Sequence, residues 1–351
     1  MNVYTSTAAC FFCLYGYLCK THDFLCNELF SPGKNKPFPL KMDDHPLNQR
    51  PIACCGLTCC DFITLCKGFP LEDSDQRCID MYWQRGGNAS NTSTVLALLG
   101  ARTECLCTIA NTREKEFLKE DFAKYAVNIE NCVYLDDCTA PVSNCIINVQ
   151  NGSRTILHSN KSLPEFSYKD FQKIDLKKQK YQWVHFEGRP NVPDISSMLQ
   201  AIDSHNKAHP DEKIITSVEL EKTRMEIVPL LDKADYVFVS KEHAQIHGYQ
   251  CKEDTVEGLG TKIRDSSVII CAWGESGACA KPKHGPIVAS PIFPPEGGVV
   301  DTLGAGDSFN AGVIFALSRG KMLQEAVSFG CLVAGKKCGF RGFEGLKGFP
   351  L

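Results

Sequence analysis

From Tyr181 onward, short runs of β-branched and aromatic residues alternate with stretches of helical periodicity. The runs are Trp183–Phe186, Ile214–Val218, Tyr236–Val239 and Val268–Cys271. Helical patterns over Ile195–His209, Met225–Leu231 and Lys241–Ile246 follow the first three. Strands separated by helices cannot pair as hairpins. They lie side by side as a parallel sheet with helices on its faces. Ile52–Leu57 reads as the opening strand, so the expected fold class is α/β, a parallel sheet flanked by helices.

Two stretches break this rhythm. Phe62–Trp83 carries short alternating runs around Pro70. Cys145–Val149, Asn151-Gly152 and Arg154–Leu157 read as a β-hairpin, with Asn-Gly predicting a type I′ turn. The expectation is one α/β body over residues 51–351, with a small β-sheet lid drawn from about 59–85 and 140–160. Residues 1–50 are expected to be a disordered extension or an artefact of gene prediction, with Met42 as an alternative start.

Charge excludes some partners. Lys+Arg 38 against Asp+Glu 41 leaves no basic excess for nucleic acid or an anionic membrane. The longest apolar stretch, Ala8–Cys19, is too short to span a bilayer and lacks a preceding Lys or Arg. A cytoplasmic chain is expected. Twenty cysteines are many, but they sit inside apolar runs. Cys54, Cys55, Cys59 and Cys60 lack a nearby second pair or histidines, so they read as buried thiols.

The chemistry concentrates in Val299–Asn310, where a short apolar run ends in Gly304-Ala305-Gly306-Asp307. Phe309, Val313, Ala316 and Leu317 then follow at helical spacing, and Gly320 marks the stop. Gly304, Ala305 and Gly306 therefore lie at a helix N-terminus, whose free amides and dipole favour an anion. The segment is not a P-loop, which needs Gly-Lys-Ser/Thr, nor a dinucleotide fingerprint, since Phe309 stands where a third glycine belongs. Asp307 reads either as a helix cap or as a base that takes a proton from an attacking hydroxyl. Beside a positive helix end it should be a weak base, which a loose phosphoryl-transfer transition state tolerates.

Gly86-Gly87-Asn88-Ala89-Ser90-Asn91 forms a second cluster before the helical run Val95–Leu99. Its two amide side chains suit a polyhydroxylated ligand, although a capped helix after a Gly turn gives the same pattern. Asp61 is a lone acid in an apolar stretch; it reads as an acceptor for two hydroxyls or as a surface residue at a strand end.

Together these segments resemble the ribokinase-like carbohydrate kinases. Asp301–Ile314 is similar to that family's C-terminal signature, and Gly86-Gly87 through Asn91 to its N-terminal one. Trp83–Asn91, Cys271–Trp273 and Ala334–Gly339 look most like the branch that phosphorylates ketoses, and the resemblance covers about Ile52–Gly345. It implies a doubly wound α/β body with a β-sheet lid, and ATP-dependent phosphorylation of D-fructose to fructose 1-phosphate, with Asp307 as catalytic base and Gly304, Ala305 and Gly306 as the anion hole. It implies that Asp61, Gly87, Asn88, Asn91 and Asp307 hold the sugar. Arg154, Lys241, Gly274, Glu275, Ser276 and Gly277 match the ATP side. Mg²⁺ would ride on ATP, potassium would stimulate, and two lids would clasp in a homodimer, with Asp73 reaching the neighbouring site. The family's Asn-x-x-Glu metal motif is replaced by Ser240-Lys241-Glu242-His243, which leaves the Mg²⁺ contacts unassigned. Sister kinases acting on ribose, adenosine or fructose 6-phosphate are the nearest alternatives. Arg85 and Lys67 would then be candidates for a sugar phosphate. A non-catalytic sugar or nucleotide sensor on the same fold is the alternative of another class.

Overall fold

The structure is a computed structural model and describes residues 50–351. The expectation for residues 1–50 lies outside the described residues except for Arg50. That guanidinium donates to the carbonyl of Tyr181 at 2.6 Å and fastens the chain at the foot of the first strand.

The chain runs β1 (Ile52–Cys55), β2 (Cys59–Cys66), β3 (Asp80–Gly86), α1 (Asn88–Leu98), β4 (Thr103–Leu106), β5 (Thr108–Ala110), α2 (Glu114–Lys124), β6 (Val133–Leu135), β7 (Val142–Asn148) and β8 (Arg154–Ser159). It continues through β9 (Trp183–Glu187), α3 (Val192–Ala208), β10 (Ile215–Leu220), β11 (Tyr236–Ser240), α4 (Lys241–Ile246), α5 (Lys252–Gly260), β12 (Val268–Ala272), β13 (Ala278–Pro282), β14 (Val288–Ser290), α6 (Ala305–Ser318) and α7 (Leu323–Cys338). Eight strands form the central sheet in the order β14-β13-β12-β11-β10-β9-β1-β4. The six strands from β12 to β4 are mutually parallel, as the alternating pattern predicts.

The far edge departs from that pattern. β13 and β14 pair antiparallel, in register Cys271↔Cys279 and Cys279↔Ala289. A parallel neighbour needs a crossover of about a dozen residues, and only Trp273–Gly277 separates β12 from β13. Two local expectations also give way. Met225–Asp232 is a 3₁₀ segment instead of an α-helix, because Pro229 within it supplies no amide proton. The 142–159 hairpin forms, but of its Asn-Gly pair only Gly152 has positive φ. Its loop is longer than a two-residue turn: the Gly152 amide donates to Asn148 O at 2.8 Å, and the Asn148 and Asn151 side chains accept from loop amides.

The core lies on both faces of the sheet. One side packs Phe186, Val218 and Val239 against Leu199 and Ile202 of α3. The other packs Trp183, Phe238 and Ile270 against Phe309, Val313 and Phe329 of α6 and α7. Cys54, Cys55, Cys59 and Cys60 are buried as small apolar side chains. A second, four-stranded sheet in the order β3-β2-β7-β8 stands apart. Its inner face buries Ile63, Leu65, Cys145 and Ile147 around Leu303 of the main body. Among the described residues no helix is long and apolar enough to cross a membrane.

Candidate active site

Parallel strands all deliver their C-terminal ends to one edge, and in open α/β sheets that edge is where ligands bind. Here β1 ends before Gly56, β9 ends in Glu187, and β10 carries Glu219 beside Leu220. Two helices start over the same edge. α1 begins at Asn88 after Gly87, and α6 begins at Ala305 after Gly304. Gly304 caps α6 with φ 75°, a left-handed backbone that favours glycine.

Asp307 does not cap its helix. Its Oδ2 accepts from Asn91 Nδ2 at 2.8 Å, so the first turns of α1 and α6 are joined side chain to side chain. The capped-helix reading of Asn88 and Asn91 fails likewise, since α1 has no side-chain cap. Asn91 Oδ1 is buried without a hydrogen-bond partner. Such an acceptor costs free energy until a donor reaches it.

Asn88 faces a charged floor. Its Nδ2 donates to Glu219 at 3.1 Å and to Glu221 at 3.4 Å, and its Oδ1 accepts from Lys222 Nζ at 3.4 Å. Glu219 also accepts from Asn310 Nδ2 of α6 at 2.7 Å. Lys222 pairs with Glu221. Glu187 accepts from the amides of Leu57 at 2.9 Å and Ala89 at 3.3 Å, and from Arg189 at 3.2 Å. Burial pushes the Glu187 carboxyl up, but Arg189, Lys222 and those amides hold it below its usual range.

Burial first, and nearby acids second, set the character of Asp307. Burial pushes its carboxyl up to about 7; Glu221 and Glu187 add to this, while the Asn91 bond and Lys222 oppose it. Glu219 is driven well above its usual value by burial and by Asp307 beside it. The expectation of a weak base at a helix N-terminus is therefore overturned. Desolvation outweighs the dipole, and Asp307 is poised to exchange a proton near neutrality.

The remaining expected residues fall into two groups. Asp61 is buried in β2, not exposed at a strand end, and burial raises its carboxyl although Ser143 and Cys59 bond to it. A Cβ at Gly86 would run into that carboxylate, so glycine there makes room for it. Arg154 Nη1 donates to Thr302 Oγ1 at 3.0 Å, which ties the hairpin to the loop before Gly304. The second group stands at the ends of β11 and β12. Lys241 pairs with Glu275 at 2.7 Å, in the turn where Gly274 and Gly277 both have positive φ. Among the described residues no hydrogen bond or ion pair joins this turn to Gly304–Asp307. The Ala305 amide already donates to Thr302 O at 3.2 Å. Gly306 and Asp307, also in the first turn, have no intrahelical partner for theirs. Asp73 is exposed with φ 53°.

Sequence reasoning missed Glu187, Glu219, Glu221 and Lys222. Glu219 carries the same signal as Asp61, an acid set within an apolar run. It also missed the buried pair of Lys337 Nζ and Asp301 Oδ2 at 2.6 Å. Asp301 Oδ1 in turn accepts from the Leu303 amide at 2.9 Å and so shapes the loop into α6.

Helix amides open to negative charge, within one turn of a carboxylate ready to hold a proton, equip an α/β enzyme for group transfer to a hydroxyl. The chain belongs to the pfkB family of carbohydrate kinases, whose profile matches residues 49–343. It is 44% identical to mouse ketohexokinase over 301 residues, which is 86% of this chain and 100% of the mouse protein. Among solved structures, ribokinase from Giardia lamblia superposes with TM-score 0.72 at 14% identity, over 85% of this chain and 96% of that one. Arabidopsis thaliana ribokinase complexed with ribose and ATP superposes with TM-score 0.67 at 16% identity, over 85% and 95%.

Proposed function

We propose that this chain transfers the γ-phosphoryl group of ATP to the 1-hydroxyl of D-fructose, giving ADP and fructose 1-phosphate. The observation that carries the reading is the junction of Asn91 with Asp307, where a buried acceptor without a partner lies beside a carboxyl raised to about 7. A sugar hydroxyl donating to Asn91 Oδ1 satisfies that atom. The likeness to mouse ketohexokinase supports the acceptor class.

In this reading Asp61, Gly87, Asn88 and Asn91 hold the ketose, and the ionised Asp307 takes the proton of the 1-hydroxyl. The freed oxygen attacks the γ-phosphorus, the bond to the β-phosphate oxygen breaks, and ADP leaves. Amides of the Gly304–Gly306 loop stabilise the charge on the transferring group. Gly306 and the Asp307 amide contribute most, because Ala305 is already engaged. Arg154 leaves Thr302 for the ATP phosphates, while Lys241 and the Gly274, Glu275, Ser276 and Gly277 turn line the nucleotide side. Mg²⁺ bound to ATP would neutralise phosphate charge. Among the described residues no three His, Cys, Asp or Glu side chains converge as a cage.

The state of the cations favours an unphosphorylated acceptor. Arg189 is spent on Glu165 and Glu187, and Lys222 on Glu221. Arg85, a candidate for a sugar phosphate, is buried on Asp121, Ser90 and Thr94. Lys67 is exposed beyond the end of β2.

The four-stranded sheet acts as the lid and as the homodimer contact. Its outer face carries Trp83 opposite Phe62, Met81 opposite Thr64, and Leu157 opposite Asn144. Met81 and Leu157 are each 60% exposed on the single chain, and a face of this kind calls for a partner.

The test is ADP release from Mg-ATP with fructose, ribose, adenosine or fructose 6-phosphate, with phosphorus NMR of the product. Fructose 1-phosphate as the main product is expected. Preferred turnover of another acceptor overturns the proposal, and so does binding without turnover.

A further inference from the structure

We propose that His243 and His247 form a chelating site for a borderline transition-metal ion such as Ni²⁺ or Zn²⁺, apart from the kinase chemistry. His243 lies in α4, and His247 is the residue that closes it. Side chains four apart on a helix share a face. Here the two Nε2 atoms stand 3.3 Å apart, with the ring planes inclined at 62°.

His243 Nδ1 lies 2.8 Å from the carbonyl oxygen of Lys222. A carbonyl only accepts, so Nδ1 carries the proton, and neutral His243 presents a bare lone pair at Nε2. An outer N–H given to a carbonyl is how metal-binding histidines are held and oriented. Two imidazole nitrogens at about 2.05 Å from one tetrahedral ion lie about 3.3 Å from each other. The separation is therefore already that of a chelate. Without an ion, His247 Nε2–H donates to His243 Nε2; the ion takes the place of that proton.

The surroundings set the character of the site. Lys262 faces His247 and opposes a cation, while Glu221 favours positive charge at His243. Among the described residues no third His, Cys, Asp or Glu completes a set. His243 is fully buried and His247 only partly so, so any opening of the pair to solvent lies on the His247 side. His243 also reaches the acceptor pocket through Lys222, whose ammonium meets Asn88 and Glu221.

The first experiment is Ni²⁺ titration calorimetry on the full chain at neutral pH, wild type against His247→Gln. His247 is half-buried at a helix end, so the variant is expected to keep the fold, which a thermal melt checks. Groups that only hold a ligand in place are alone worth about 10–100-fold in affinity. Loss of a ligand should therefore weaken one equivalent of Ni²⁺ by more than ~10-fold. Superimposable isotherms from two folded proteins overturn the site. Wild type alone supplies a second test: one equivalent of Cu²⁺ should give electron-spin-echo modulation from two imidazoles that Zn²⁺ competes away. Coupling to one imidazole or none overturns it.

Discussion

Asp307→Asn separates catalysis from stability in one substitution. The side chain is buried, and its carboxyl stands near 7 against an ordinary 3.8. At about 1.4 kcal/mol for each tenfold step, that gap puts a ceiling near 4 kcal/mol on the cost of ionising it in the folded chain. Shared titration with Glu219 brings the expected value to about 1–4 kcal/mol. The sign follows from linkage. The unfolded chain releases this proton near 3.8 and the folded chain near 7, so wild-type stability is lost as pH rises through that window and is level above it. Asparagine carries no such proton and still accepts from Asn91 through its carbonyl. Urea unfolding from about pH 5 to 8 should show the variant gaining on wild type up to pH 7, then holding a constant lead. The same variant should lose most turnover while still binding fructose in a thermal-shift assay. A variant less stable than wild type at pH 8 refutes the electrostatic reasoning, and near-normal turnover refutes the base.

Other consequences are equally direct. In the wild type, kcat/KM should fall about tenfold per pH unit below about 7, as Asp307 takes up its proton; a flat profile down to pH 5.5 contradicts this. Gly86→Ala places a methyl against the Asp61 carboxylate and should cost about 1–3 kcal/mol in unfolding, with a raised KM for sugar. Lys337→Met strands Asp301 in the core and should cost about 3–5 kcal/mol in urea unfolding. Arg154→Ala should raise the KM for ATP by ~10-fold or more, the worth of a charged hydrogen bond, with the KM for sugar little changed. Trp83→Glu should convert a sedimenting dimer to monomer, and an unchanged sedimentation coefficient argues against the sheet as the dimer contact.

The parallel half of the sheet was legible because buried parallel strands are continuous apolar runs. Trp183–Glu187 and Val268–Ala272 show themselves that way. The antiparallel edge was not read, since Ala278–Pro282 is short and half polar at its end. The helix starts at Asn88 and Ala305 were legible from their glycines, and so the site's place was too. What stayed hidden was its electrostatics. Glu187, Glu219 and Asp307 are more than 30 and up to 120 residues apart in sequence, and only the sheet order brings their charges together. Asp307 in sequence suggested a carboxylate held low by a helix; buried, and with Glu221 and Glu187 adding to the effect, it is held high. The Asn151-Gly152 turn was misread for a related reason, because the loop length was set by the strand register and not by the dipeptide.

Leu303 belongs to two assemblies at once. Its side chain is packed among Ile63, Leu65, Cys145 and Ile147 of the small sheet, and its peptide leads into Gly304. Swinging that sheet away would bare the leucine to water at a cost of about 1.5–3 kcal/mol. At a tenfold ratio per ~1.4 kcal/mol, that term alone would keep the open form to about one molecule in ten to one in a hundred. If the small sheet is the lid and the Gly304 loop the anion hole, as proposed, closure and the setting of that loop would be one event rather than two. A substitution that merely loosens the small sheet will be read by an enzymologist as a slower enzyme, though it touches no reacting atom.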